Sequence, residues 1–164
     1  MEILRSVWRK YEARVEIVLF GEESEHPDFA ALPQDFGWRN LGKLTSSELA
    51  VVFNDSDIFV DFSEYQAMGL TAMEAMSCGV AVVAPIKGGA NSFASHNVNA
   101  LLVDTTNAET CLDAVCCLID DDQRRLTLQQ NAMRDVSLFE PAVAAHALME
   151  ELFPAAKAGF MDRS

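Results

Sequence analysis

Residues 66–85 constrain the fold more than any other part of the chain, because they predict a loop, a short helix and a buried strand in immediate succession. Gly79 is typical of the residue that ends a helix. Residues 80–84 are a short apolar run of the kind that lies inside a parallel sheet, and Pro85 ends it. A helix that leads straight into such a strand predicts an α/β domain.

The rest of the chain repeats this alternation of strands and helices. Further apolar strands are expected at residues 15–20, 58–62 and 100–103. Amphipathic helices are expected near residues 4–11, 45–54 and 106–119. Two of these helices begin with capping-box patterns, formed by Thr45 with Glu48 and by Thr106 with Glu109.

This order predicts one doubly wound, Rossmann-like parallel sheet with helices on both faces. The domain is expected to cover residues 1–153, followed by a frayed tail at residues 154–164. Such sheets bind ligands beyond the carboxyl ends of their strands. We therefore expect the two glycine-containing loops, at residues 63–69 and 85–90, to open onto the same edge of the sheet.

Charge and cysteine content narrow the range of partners. The chain has 164 residues, with 12 basic and 25 acidic side chains and a net charge of −13. It lacks the Lys and Arg clusters of a nucleic-acid binder, and no apolar run reaches the length of an integral membrane segment. The four cysteines lack zinc-ligand spacing, so we expect reduced thiols, a cytoplasmic location and no bound metal.

Gly69, Leu70 and Thr71 stand at the predicted start of the helix. The first amides of a helix have no backbone partner and suit an anion such as a diphosphate. Gly69 would let that anion approach the backbone closely, although a glycine that merely permits a turn gives the same pattern.

Glu74 and the segment Lys87-Gly88-Gly89 also have two interpretations each. Glu74 is a carboxylate on an otherwise apolar helix, so it could bind a pair of sugar hydroxyls or complete a capping box with Thr71. The two glycines could expose amides to a ligand beside the Lys87 charge, or form an ordinary turn with a solvated lysine.

Several motifs together resemble the C-terminal domain of retaining GT-B glycosyltransferases of the large group 1 family. They are Asp57-Ile58-Phe59-Val60-Asp61-Phe62-Ser63, Gln66-Ala67-Met68-Gly69-Leu70-Thr71-Ala72-Met73-Glu74-Ala75-Met76 with the strand at residues 80–84, Gly88-Gly89, residues 99–103, and the strand ends at residues 18–21 and 41–44. The resemblance covers residues 14–153.

The resemblance implies that this half of a GT-B fold binds a nucleotide-sugar without a metal or other cofactor. Gln66 would contact the transferred sugar and Glu74 would hold the ribose hydroxyls, which makes these two the expected catalytic-centre residues. The expected substrate-binding positions are Lys43 and Leu44 beside the base, Gly69, Leu70 and Thr71 at the diphosphate, and Lys87, Gly88 and Gly89 in the second loop.

Three departures from the family pattern qualify this expectation. Gln66 stands where the family commonly has Glu, and Ala90-Asn91-Ser92 replaces the segment that usually carries a second Glu. The Gly-Arg…Lys-Gly phosphate clamp and the N-terminal acceptor domain are missing. The chain is thus expected to be the donor-binding part of a glycosyltransferase of polysaccharide or glycoconjugate synthesis, inactive alone. The alternative is a non-catalytic nucleotide- or sugar-binding module.

Overall fold

The computed structural model of the chain describes residues 1–23, 25–139 and 141–152. Its helices are α1 (Glu2–Tyr11), α2 (Pro27–Ala30), α3 (Ser46–Asn54), α4 (Leu70–Ser77), α5 (Ala108–Asp120), α6 (Asp122–Val136) and α7 (Pro141–Leu152). Its strands are β1 (Val18–Leu19), β2 (Arg39–Asn40), β3 (Ile58–Val60), β4 (Ala81–Pro85) and β5 (Leu101–Val103).

All the strand pairs are parallel, as the alternation of elements predicts. β3, β4 and β5 form a three-stranded sheet in that order, with Val60 opposite Val83 and Val83 opposite Leu101. β1 and β2 form a separate two-stranded sheet in which Val18 lies opposite Arg39. The α/β fold class is confirmed, but β1 does not pair with β3, so the expected sheet is interrupted between them.

Helices cover both faces of the larger sheet. On one face α4 and α6 pack against β4, α3 packs against α4, and Met76 and Val82 are fully buried there. On the other face α1 and α5 pack against the same strands around Ala81 and Val83. Successive strand side chains point to opposite faces, so β4 supplies both cores and is buried along its whole length.

A long-range contact fixes α1 against α5. The Tyr11 hydroxyl donates a hydrogen bond of 2.6 Å to the Asp120 carboxylate across 109 residues of sequence. This bond lowers the pKa of Asp120, while burial and the same hydrogen bond raise the pKa of Tyr11 to about 12. The amphipathic helix predicted at the start of the chain is therefore an integral part of the fold.

The two predicted capping boxes have different outcomes. Thr45 caps α3, because the Glu48 N–H donates to its hydroxyl and the Thr45 N–H donates to the Glu48 carboxylate at 2.8 Å. The second predicted capping box, formed by Thr106 and Glu109, is wrong. Asn107 caps α5, and Thr106 instead donates its hydroxyl to Asp104.

The C-terminal limit of the domain lies outside the residues that the structure describes. The predicted tail at residues 154–164 and the predicted last domain residue, 153, lie outside the described residues. Within the described part of the chain, no helix is both long enough and apolar enough to cross a membrane.

Candidate functional site

The start of α4 presents backbone amides that no side chain caps. Gly69 is the N-cap residue, with a left-handed φ of 77°, and the first turn carries no acidic residue. The first backbone bond runs from the Met73 N–H to the Gly69 carbonyl, so the Leu70, Thr71 and Ala72 amides have no helical partner. A Cβ on Gly69 would meet only ordinary contacts, the nearest at 3.5 Å, so the backbone angle is what requires glycine.

The loop that contains Gly88 and Gly89 packs tightly against the loop that precedes α4. Gln66 and Gly88 form a parallel bridge, and the Gly89 N–H donates to the Gln66 carbonyl at 2.9 Å. A Cβ on Gly88 would lie 2.0 Å from the Gln66 oxygen, and one on Gly89 would lie 2.1 Å from the Ala67 oxygen. The two loops therefore share one edge of the sheet, as predicted, and both glycines are required by the close approach of two backbones.

Side chains that the sequence analysis did not single out hold the loop before α4 in place. The Thr105 hydroxyl donates to the Ser63 carbonyl at 2.8 Å, and the Ser63 N–H donates to the Asp61 carboxylate at 2.9 Å. The Ser63 hydroxyl is buried without a hydrogen-bond partner among the described residues. No sequence signal links Thr105 to Ser63, because the contact spans 42 residues.

Glu74 lies on the exposed side of α4, with a carboxylate that is not engaged in capping. The helix begins at Leu70 after Gly69, so Thr71 is not its N-cap, and Glu74 makes no side-chain hydrogen bond to a described residue. The structure thus excludes the capping-box interpretation. Helical side chains lean toward the N-terminus, so the Glu74 side chain lies over the turn that contains Leu70 and Thr71.

Lys43 is already paired within the smaller sheet region. Its ammonium lies 2.9 Å from the Glu22 carboxylate, which raises the pKa of Lys43, and this same contact lowers the pKa of Glu22. Lys43 and the half-buried Leu44 follow β2, so they lie beyond the interruption between the sheets. The structure brings Gln66 together with Gly88 and Gly89, just before the start of α4, whereas the placement of Lys43 and Leu44 beside a base stays a prediction.

Lys87 is the positively charged side chain directly before Gly88 and Gly89. It is exposed and forms no ion pair within 4 Å of a described residue. Hydrogen bonds from Thr106 lower the pKa of Asp104, and the Lys87 charge lowers it further. Lys87 follows the carboxyl end of β4 by two residues, so it lies near that edge of the sheet.

Among the residues that the structure describes, no group of three or more His, Cys, Asp or Glu side chains is placed to hold a metal ion.

A cavity of about 1240 Å³ lies between β1 and β3 and ends beside the start of α4. We call it the interstrand cleft. Residues 15–20 line one wall and residues 55–62 the other, while Gln66 and Thr71 lie at its end.

Residues 2–135 match the family described as glycosyl transferases group 1. The chain belongs to this family. A curated relative, the D-inositol 3-phosphate glycosyltransferase of Corynebacterium jeikeium, is 34% identical over 124 residues, which are 74% of this chain and 30% of the relative. Across the first relatives the chain spans between 26% and 42% of their length. The expected resemblance is thus confirmed, and the chain matches only part of the length of these glycosyltransferases.

Solved structures show the same fold. Anabaena Alr3699/HepE, in complex with UDP and glucose, superposes with a TM-score of 0.75 at 22% identity, over 94% of this chain and 44% of the other. The C-terminal domain of a group 1 glycosyl transferase (LpcC) from Francisella tularensis superposes with a TM-score of 0.57 at 28% identity, over 63% of this chain and 53% of the other. This member of the group 1 family therefore has the architecture of one half of a GT-B glycosyltransferase.

Proposed function

We propose that this group 1 chain is the donor-binding domain of a retaining glycosyltransferase and binds the nucleoside diphosphate part of a nucleotide-sugar at the start of α4. The observation that carries this proposal is the uncapped first turn of α4, which faces the loop of Gly88 and Gly89 at the carboxyl edge of a parallel sheet. Ligands of doubly wound sheets bind at that edge.

The diphosphate would accept hydrogen bonds from the amides of Leu70 and Thr71. A helix N-terminus favours an anion because its N–H groups point outward and its dipole is positive there. The net charge of −13 opposes an anionic ligand, so local donors must outweigh the overall field. Lys87, which is not in an ion pair with a described residue, supplies a positive charge beside the second loop.

Glu74 would accept hydrogen bonds from the ribose hydroxyls, since its carboxylate is exposed and lies about one helical turn after the same amides. Gln66 would contact the transferred sugar from the loop that Gly89 holds in place. A neutral amide can orient the sugar by hydrogen bonds, but it cannot neutralise positive charge that develops during transfer. Lys43 could reach the base only after releasing Glu22.

Catalysis would require the remainder of the enzyme. The chain spans less than half the length of the curated relatives cited above, and transfer requires donor and acceptor to be held together in one cleft. We propose a role in polysaccharide or glycoconjugate synthesis in the cytoplasm. The four free cysteines are typical of a reducing compartment and support that location.

Calorimetric titration of the chain with UDP tests the donor site. We expect weak binding, because the rest of the enzyme is absent, and a loss of roughly 1.5–3 kcal/mol in Glu74→Ala, or about 10- to 150-fold in Kd. Asp113→Ala is the matched control, since Asp113 is an exposed helical carboxylate on α5. Equal affinity of Glu74→Ala and Asp113→Ala would refute the role of Glu74.

One observation favours a non-catalytic binding module as the second candidate. Gln66 carries no charge, and Lys43 is paired with Glu22, so the site has few charged groups for chemistry. The full-length protein separates the two functions, because a module would bind the nucleotide without transferring sugar. In a transferase, Gln66→Glu should change turnover more than UDP affinity, since a charge there acts mainly in the transition state. Altered affinity with unchanged turnover would place Gln66 at the nucleotide instead.

A further inference from the structure

Both tryptophans of the chain line one small cavity. Trp8 lies on α1, and Trp38 directly precedes β2. The cavity has a volume of about 230 Å³ and lies at the amino ends of β1 and β2. None of its lining residues belongs to the proposed donor site. Pockets for drug-sized ligands have volumes of about 300–1,000 Å³, so this cavity suits a smaller group, of the size of one ring.

A second aromatic ring holds each indole in place. Trp8 lies against Phe36 with a distance of 6.4 Å between ring centroids and an angle of 54° between the planes. Trp38 meets Phe29 edge-on at 6.1 Å, and its Nε1–H donates to the Pro33 carbonyl at 2.8 Å. Two indoles that are fixed in this way lose little side-chain freedom when a ligand binds against them.

Gly37 keeps space open beside Trp8. A Cβ on Gly37 would lie 2.8 Å from Trp8 Nε1, and Gly37 does not have a left-handed φ, so contact with the indole is what favours glycine here. The Nε1–H of Trp8 donates no hydrogen bond to a residue that the structure describes, unlike that of Trp38. The cavity therefore offers an indole with an unused hydrogen-bond donor.

Glu16 and Arg39 supply the polar groups of the cavity. Arg39 Nε lies 2.6 Å from Glu16 Oε1, and both side chains are mostly exposed. This contact uses one guanidinium nitrogen and one carboxylate oxygen, so further N–H donors of Arg39 and the second oxygen of Glu16 remain for a ligand. The pair carries no net charge and can both donate and accept hydrogen bonds.

This combination of groups selects among ligand classes. Aromatic rings favour an organic cation, but the nearby carboxylate of Glu16 is already neutralised by Arg39. A purely apolar ligand would desolvate the ion pair without replacing its hydrogen bonds to water. A pyranose ring matches both parts of the cavity, because the C–H groups of its face pack against an indole and its neighbouring hydroxyls donate and accept at the ion pair.

We propose that the cavity between Trp8 and Trp38 is a sugar-binding site that takes one neutral pyranose unit of an oligosaccharide. Trp8 would supply an apolar surface and one N–H donor, and Glu16 with Arg39 would bind adjacent hydroxyls. On a polysaccharide-synthesising enzyme such a site would retain the sugar chain at a place that is not used for transfer. Only this use rests on the proposed function, and the binding itself does not depend on a nucleotide.

Tryptophan fluorescence tests the proposal directly, because the two tryptophans of the chain both line the cavity. The probes are trisaccharides of glucose, galactose, mannose and rhamnose, each titrated alone into the chain. We expect a saturable change in fluorescence with at least one of them and a Kd on the order of 1 mM, as suits a single ring in a small site. Choline is the cationic comparison and should give no saturable change.

Two variants retain both tryptophans and locate the binding. Gly37→Ala places a methyl group against Trp8 and should weaken sugar binding at least tenfold. Glu16→Gln leaves the packing unchanged and should weaken it about fivefold or more, because a charged acceptor is lost. Glu109→Gln is the matched control, since Glu109 is an exposed glutamate on α5, and it should bind as the unsubstituted chain does. Far-ultraviolet circular dichroism checks that each variant is folded.

The same titrations can overturn the proposal. No saturable change with any of the trisaccharides would do so, as would equal sugar affinity in Gly37→Ala or Glu16→Gln. A response to choline alone would show a cation site instead. Saturating UDP should leave sugar binding unchanged, and displacement of the sugar by UDP would place it at the donor site and refute a separate one. The tryptophan signal does not require UDP to bind, so failure of the donor site leaves this test intact.

Discussion

Alanine substitutions at three glycines separate backbone strain from loop contact. Gly89 lacks a left-handed φ, so Gly89→Ala tests contact alone. Its Cβ would lie 2.1 Å from the Ala67 oxygen, so the backbones must move apart by roughly 0.9 Å to reach the 3.0 Å limit of real contacts. A shift of this size breaks the 2.9 Å hydrogen bond from the Gly89 N–H to Gln66.

The expected cost of Gly89→Ala follows from these two effects. Overpacking costs about 1–3 kcal/mol, and a lost hydrogen bond adds about 1 kcal/mol, so the free energy of unfolding should fall by about 2–4 kcal/mol. Gly21 has a φ of 105° and open space around it, so Gly21→Ala should cost only the backbone strain, about 1–3 kcal/mol. Gly88 combines a φ of 115° with a 2.0 Å contact, so Gly88→Ala should be the most destabilising of the three.

Urea unfolding followed by circular dichroism measures these differences, and UDP titration reports whether the loops still form the site. Gly89→Ala and Gly88→Ala should both weaken UDP binding, whereas Gly21→Ala should leave it unchanged. A Gly89→Ala variant within about 0.5 kcal/mol of the unsubstituted chain would refute the close packing of the two loops.

Two further predictions concern side chains away from the proposed donor site. Thr45→Ala should lower the free energy of unfolding by about 1 kcal/mol, measured in urea, because α3 loses its cap. Hydrogen bonds from the Thr45 N–H and hydroxyl lower the pKa of Glu48. The part of the cap that depends on the hydroxyl's bond to the Glu48 carboxylate is therefore present above the ordinary carboxyl pKa and is lost as the pH falls through the lowered value, so an effect of Thr45→Ala that does not shrink as the pH falls would contradict it. Asn99→Ala should cost about 2–4 kcal/mol, because the buried amide donates to Phe93 at 3.1 Å and to Asp135 at 2.9 Å. A midpoint of thermal unfolding that is unchanged in this variant would show that these bonds do not matter.

Local chemistry determines which features of the fold were predictable from sequence. The capping box of Thr45 and Glu48 depends on residues three apart and is present as predicted. The second box fails for an equally local reason: Asn107 also accepts amide hydrogen bonds and lies one residue nearer to α5. Pattern alone could not choose between the two caps, because both side chains are good N-cap residues.

Non-local contacts explain what could not be predicted. The approach of Gly88 and Gly89 to residues 66–68 depends on how two loops meet in space, so the sequence also allowed an ordinary turn. The interruption between β1 and β3 was also missed, because each strand has an apolar sequence whether or not a neighbour pairs with it. The role of Glu74 in binding ribose stays a prediction until the titration is made.

The contact between Tyr11 and Asp120 has a consequence for the order of events during synthesis. The two residues are 109 positions apart, and ribosomes add roughly 5–20 residues per second, so α5 emerges about 5–20 seconds after α1. During that interval the apolar side of α1, with Val7 and Tyr11, has no α5 to pack against. The nascent chain therefore exposes the apolar side of an amphipathic helix until α5 has emerged, and a chaperone that binds such helices would find it near the ribosome.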